Sequence, residues 1–256
     1  MVLSNIATVT RFTWLEIRRA RLWWFMLAMI VFGYGIGEFA ASISITESNE
    51  NRLVFYAAIM RLVAVFFIAL LVATSVLREI DDKGLELALS RPLSRGEWYI
   101  GKLVGYASAA IGIAVLVSVP LLVQNPLAAL IWSYSLMLEL IIVVAAALAF
   151  AITLRQITIA LSVVAGFYII SRAIAGLVLI STGPTVDLTL SSNQFVAAMI
   201  KYLAMVLPDL DRFTQTRWLV GMLPSAQEIS VLTAQAIIYG ALLVCMGLFD
   251  LHRREL

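Results

Sequence analysis

Residues 127–151 read LAALIWSYSLMLELIIVVAAALAFA, with Glu139 as the single charge. An α-helix rises about 1.5 Å per residue. The run is therefore long enough to cross the roughly 30 Å of hydrocarbon in a bilayer. It is continuously apolar, whereas strands of a membrane barrel alternate apolar and polar residues. Backbone polar groups in lipid must be satisfied within the segment, so the run predicts a helix. Five more runs have the same character, at 22–43, 54–76, 99–123, 157–182 and 226–249. Together they predict an all-α, polytopic membrane protein with six transmembrane helices in one domain, 1–256.

Bulk composition agrees. The 256 residues are 62% hydrophobic and 13% charged, where soluble domains carry about 25% charged residues. Cys245 is the only cysteine and lies inside an apolar run, which excludes an internal disulfide and argues against a cysteine metal site. His252 is the only histidine and sits in a basic tail, and the nine methionines are scattered, so no metal site is expected. The net charge of +2 says little about partners, and no nucleic-acid partner is expected.

Arg18, Arg19 and Arg21 precede the first apolar run, which is longer than the 7–15-residue core of a signal peptide. A retained first span fits better. Before it, residues 4–21 read as a helix at the membrane surface, capped by Ser4. Ile6, Val9, Thr13, Ile17 and Ala20 fall along one face, and Trp14, Trp23 and Trp24 suit the headgroup level. A plain cytoplasmic extension of the first span is an equal alternative.

Orientation follows from Lys and Arg. With the N-terminus inside, only Arg52, Lys201, Arg212 and Arg217 fall outside, Arg61 and Arg172 fall within spans, and the rest of the 18 are cytoplasmic. Both termini are expected in the cytoplasm of a bacterial inner membrane.

Two links are too long to be turns: 78–97 on the cytoplasmic side and 183–225 outside. In the first, Gly84 ends the extension of the second span. Leu85, Leu87, Ala88 and Leu89 form a short apolar helix, and Pro92 breaks it. Ser94-Arg95-Gly96-Glu97 is a capping box for the third span. A linker alone has no need of exposed leucines among mixed charges. A docking element does, because leucines fill a partner's groove while charge pairs fix orientation. The docking residues read from this segment are Asp82, Glu86, Leu87, Leu89, Arg91 and Arg95.

The string Glu86-Leu87-Ala88-Leu89-Ser90-Arg91-Pro92-Leu93-Ser94-Arg95, followed by Gly101-Lys102, resembles the signature of ABC-2-type permeases. Arg253-Arg254-Glu255-Leu256 resembles the family's C-terminus. Leu207-Pro208-Asp209-Leu210-Asp211-Arg212-Phe213 resembles its multicopper-enzyme-maturation (nitrous-oxide-reductase maturation) branch. Leu85 departs from the threonine that many members carry. The resemblance implies six spans, an N-terminal interfacial helix and short re-entrant helices before the last span. It also implies a permease dimer that binds two separate ATPase subunits through the loop at 78–97, and it admits an extracytoplasmic accessory protein. The chain has no G-x-x-x-x-G-K-[ST] motif. ATP and Mg are therefore expected in the partner ATPase, with no cofactor and no enzymatic activity in this chain.

Charges inside spans are costly and mark functional positions. Glu38 and Arg61 fall at similar depth in spans one and two, and Glu139 and Arg172 near mid-membrane in spans four and five. Each set reads first as a structural ion pair and otherwise as a polar path for substrate, and cross-pairing is equally allowed. Outside, residues 193–207 read as an outer-leaflet helix capped by Asn193 and ended by Pro208, with Tyr202, Phe213 and Trp218 at the interface. Gly101 and Gly105 permit close helix contact, and Pro120 predicts a local break. The expected function is the permease subunit of an ATP-driven exporter. An ion-coupled carrier using Glu139 and Arg172 and a mechanotransmitting subunit that does not transport are the alternatives.

Overall fold

The structure, a computed structural model, describes residues 2–19, 22–43, 48–82, 94–183 and 191–253. The helices are α1 (Val2–Arg19), α2 (Leu22–Ile43), α3 (Ser48–Asp81), α4 (Arg95–Leu122), α5 (Pro126–Leu154), α6 (Ile157–Ser181), α7 (Ser191–Val206) and α8 (Ala226–Arg253). Two short 3-10 helices, Leu210–Arg212 and Thr216–Val220, lie between α7 and α8. No strand occurs among the described residues. Six helices (α2, α3, α4, α5, α6 and α8) are long and apolar enough to cross a membrane, so the chain is an all-α polytopic membrane protein.

α5 is the axis of the bundle, packing against α3, α4, α6 and α8. Of its most apolar stretch 78% is buried within the fold, against 17% for α2 and α8. The difference has a sequence cause. The run Val143-Val144-Ala145-Ala146-Ala147 is small on every side, so neighbours approach closely all round. α2 instead exposes Phe25, Val31, Phe32 and Phe39, an apolar face of the kind that meets lipid.

Links are set by local chemistry. Asn125 accepts a bond from the Ala128 N–H (3.3 Å) and caps α5, with Pro126 at the first helical position. Arg155 ends α5 in the left-handed region (φ 50). The capping box at the start of α4 is present: Ser94 Oγ accepts from the Glu97 N–H at 3.2 Å, and Glu97 Oε2 accepts from the Ser94 N–H at 2.9 Å. Two expected caps are displaced, because α1 begins at Val2 and α7 at Ser191. Ser4 and Asn193 thus lie inside their helices. Pro120 makes no break either, since α4 continues through it to Leu122. Only two residues follow it in the helix.

α1 docks on α4. Val9, Thr13 and Ile17, four residues apart, are its buried stripe. A Cβ on Gly101 would stand 2.6 Å from Val9 Cβ, and one on Gly105 2.8 Å from Thr13 Cβ. Only glycine allows this approach. Asn5 Nδ2 donates to Glu97 Oε2 (3.3 Å), Thr10 Oγ1 to the Gly101 carbonyl (3.1 Å), and Trp14 Nε1 to Ser108 Oγ (2.7 Å). Residue numbers rise together in these pairs, so α1 runs in the same direction as the first turns of α4.

The segment after α7 departs from expectation. Tyr202 is exposed, but Phe213 is fully buried and Trp218 is 2% exposed. Residues 210–220 enter the bundle and pack on α3, α5 and α6. Their backbone carbonyls find donors there, which removes the cost of burying a loop.

Candidate functional site

Three constellations of polar side chains organise this bundle. The first is the stem of the 78–97 loop. α3 delivers Glu79 and α4 delivers Trp98 and Lys102, one helical turn apart. Trp98 Nε1 donates to Glu79 Oε1 at 3.0 Å. Lys102 is 1% exposed and pairs with two carboxylates, Glu79 on α3 and Glu16 on α1, the latter at 3.3 Å. Ser75 Oγ donates to the other oxygen of Glu16. The ammonium also lies 6.0 Å from the Phe12 ring centroid and 5.9 Å from that of Tyr106, within cation–π range. A buried lysine demands such partners, because an unpaired charge is costly inside a fold.

Loop residues Glu86, Leu87, Leu89 and Arg91, with the short helix expected between Gly84 and Pro92, lie outside the described residues. Asp82 is exposed at the end of α3, its N–H bonded to the Arg78 carbonyl at 2.9 Å. Arg95 is engaged within the chain, where Nη1 reaches the carbonyls of Leu251 (3.1 Å) and His252 (3.4 Å) near the end of α8. There it satisfies terminal helix carbonyls.

The second constellation surrounds Glu139, which is fully buried on α5. Tyr168 Oη donates to Glu139 Oε1 at 2.9 Å, Arg172 Nη1 to the same oxygen at 3.3 Å, and Thr214 Oγ1 to Oε2 at 2.7 Å. Tyr168 and Arg172 are one turn apart on α6. Arg172 also donates to the carbonyls of Leu210 (2.8 Å) and Phe213 (3.3 Å). Arg61 on α3 donates to the Thr214 carbonyl at 3.3 Å, and Ser135 Oγ accepts from the Thr214 N–H at 3.0 Å. Thr214 adopts φ 47, a conformation β-branched residues avoid. Two guanidiniums and one carboxylate thus fasten three spans to the buried segment.

The third is a plain ion pair. Glu38 binds Arg52 at 2.8 Å, with side chains 45% and 19% exposed. Of the pairings open from the sequence, Glu139 meets Arg172, while Arg61 joins that cluster rather than Glu38. A nearer cation explains the change, since Arg52 lies at the start of α3 opposite the far end of α2.

Sequence reasoning passed over Glu16, Glu79, Tyr168 and Thr214, and took Lys102 only as half of a motif. Spacing held a signal for some of them. Tyr168 is four residues before Arg172, Ser135 four before Glu139, and Trp98 four before Lys102, each pair on one helix face. Thr214, in an irregular segment, carries no such period.

No curated protein matches the chain. A family described as ABC-2 family transporter protein matches residues 14–248. That span runs from within α1 almost to the end of α8 and takes in both polar clusters, and the chain therefore belongs to the ABC-2 transporter family.

Proposed function

We propose that the chain is the membrane-spanning permease subunit of an exporter driven by a separate ATPase. In this reading both termini and the loop at 78–97 face the cytoplasm of a bacterial inner membrane. Two permeases pair, two ATPases holding ATP and Mg dock on the loops, and an accessory protein has room outside. The observation that carries the reading is the stem: a loop rich in leucine and charge is rooted in a buried ion-pair cluster that ties its two arms together. A loose linker needs no such root. ATP binding draws the ATPases together and pushes the loops, and differential contacts in the two states turn that push into a switch of α3 and α4. The Glu139 cluster acts as a latch on the far side, holding the segment 207–220 in the bundle. Its carboxylate is occupied by three donors, which supports a latch over an ion-coupling site. The string Leu207–Phe213 supports a place in the multicopper-enzyme-maturation branch.

Co-purification tests the proposal. A P-loop ATPase should be retained by the intact chain and lost on joint charge reversal of Glu86→Lys and Arg91→Glu. A chain that purifies without an ATPase, and whose activity survives the reversal, overturns it.

A further inference from the structure

The stem holds more than two arms of a loop. Lys102 lies between Glu79 and Glu16, and Glu16 belongs to neither arm. It belongs to α1, which also bonds α4 through Asn5, Thr10 and Trp14 and α3 through the Ser75–Glu16 bond. We infer that Lys102 is a positioning residue that locks α1 to the base of the loop, so that α1 and the two arms move as one three-helix body. This rests on the loop being the element that the ATPase moves.

The physical case turns on why a charge is buried there. Apolar side chains at Lys102, Glu79 and Glu16 together would fill the same space, and replacing a buried ion cluster as a whole is often neutral or stabilising. Stability alone gives no reason for Lys102. What an ammonium between two carboxylates adds is register, because it is satisfied only when α1, α3 and α4 hold one relative position. Packing of Val9 and Thr13 on glycines fixes the approach of α1 to α4 but leaves α3 unspecified. The two carboxylates reaching Lys102 supply that constraint, together with the Ser75–Glu16 and Trp98–Glu79 bonds. The body so formed joins the loop to the element that leads directly into α2. A push on the loop, which already moves α3 and α4, then reaches a third span, α2, through α1 as well as through the packing of α2 on α3.

Spin-label distance measurements test this. Labels at Ala7→Cys and Asp81→Cys, both exposed positions, on a Cys245→Ser background, read the separation of α1 from the stem. In the permease–ATPase complex in lipid nanodiscs, intact Lys102 should give one narrow distance, the same without nucleotide and with ATP trapped. Lys102→Met should broaden the distribution or make it nucleotide-dependent, and Lys102→Arg should restore the single distance. A narrow, unchanged distance in Lys102→Met, or a nucleotide-dependent shift with Lys102 intact, overturns the inference. If Lys102→Met does not fold, Glu16→Gln, which spares the Glu79 pair, should broaden the distance, and a narrow one counts against the inference. If no ATPase co-purifies, the docking reading fails by itself, and the width measured in the permease alone still decides the lock.

Discussion

Arg172 stands 3.3 Å from Glu139 and reaches past it to the carbonyl of Leu210 at 2.8 Å. One guanidinium thus closes a pair between α5 and α6 and anchors an irregular segment, donating to the Phe213 carbonyl as well as to that of Leu210, which also accepts the Phe213 N–H. The carboxylate is the compensating charge for Arg172 and Arg61 together, so the cluster loses most when Glu139 goes.

Removing one partner of a buried pair costs about 3–5 kcal/mol, while replacing both by apolar residues can be near neutral. Glu139→Ala is expected at the upper end, since it strands two cations. Arg172→Met is expected to cost less, because Arg61 remains near the carboxylate. The double variant Glu139→Met/Arg172→Met should recover part of the loss, though the Phe213 carbonyl loses its Arg172 donor. Unfolding titrations in mixed micelles measure all three. Additive losses in the double variant would show that the two side chains act independently.

Thr214 sets two effects against each other. Its φ of 47 costs a β-branched residue about 1–2 kcal/mol, which glycine would relieve. Its hydroxyl bond to the Glu139 carboxylate is worth about 1.5–3 kcal/mol. Thr214→Gly is therefore expected to destabilise slightly, by about 1 kcal/mol net of these two terms. Thr214→Val keeps the strain and loses the bond, so it should be clearly worse than Thr214→Gly in the same titration. The reverse order would mean that strain, not the hydroxyl, governs the position.

The Glu38–Arg52 pair provides the contrast. Its carboxylate side chain is 45% exposed, and exposed pairs contribute about 0–1 kcal/mol. Glu38→Gln should shift the unfolding midpoint by less than a third of the Glu139→Ala shift, and added salt should shrink that shift further by screening the exposed pair. A loss matching that of Glu139→Ala would show that the pair is closed off from solvent.

These contrasts track what was legible beforehand. The fold class is written in continuous apolar runs, because in lipid only a helix satisfies its own backbone. The helix start at Ser94 is equally local, set by a side chain three residues from the N–H it accepts. Depth alone placed Glu38 with Arg61, and there the reading failed, since depth says nothing of which helices are neighbours. Lys102 was hidden for the same reason. It lies between carboxylates 86 and 23 positions away, Glu16 and Glu79, and no helical period spans such gaps. Phe213 and Trp218 look interfacial by composition; they are buried because Arg172 and Arg61 receive the backbone around them.

The docking of α1 rests on absent atoms, which makes it testable by adding one. A methyl at Gly101 would lie 2.6 Å from Val9 Cβ and 2.7 Å from Val9 Cγ1. Neither helix yields easily there, because Val9 is part of the buried stripe and the approach is backbone to backbone. Overpacking of this kind costs about 1–3 kcal/mol, so Gly101→Ala should lift α1 and expose it to trypsin at Arg11. Val9→Gly removes both clashing atoms and should restore protection in the double variant. The residual cost is that of one glycine inside a helix, about 1 kcal/mol. Equal trypsin sensitivity in the single and double variants would place the hold on α1 elsewhere, in its polar bonds to Glu97, Ser108 and Lys102.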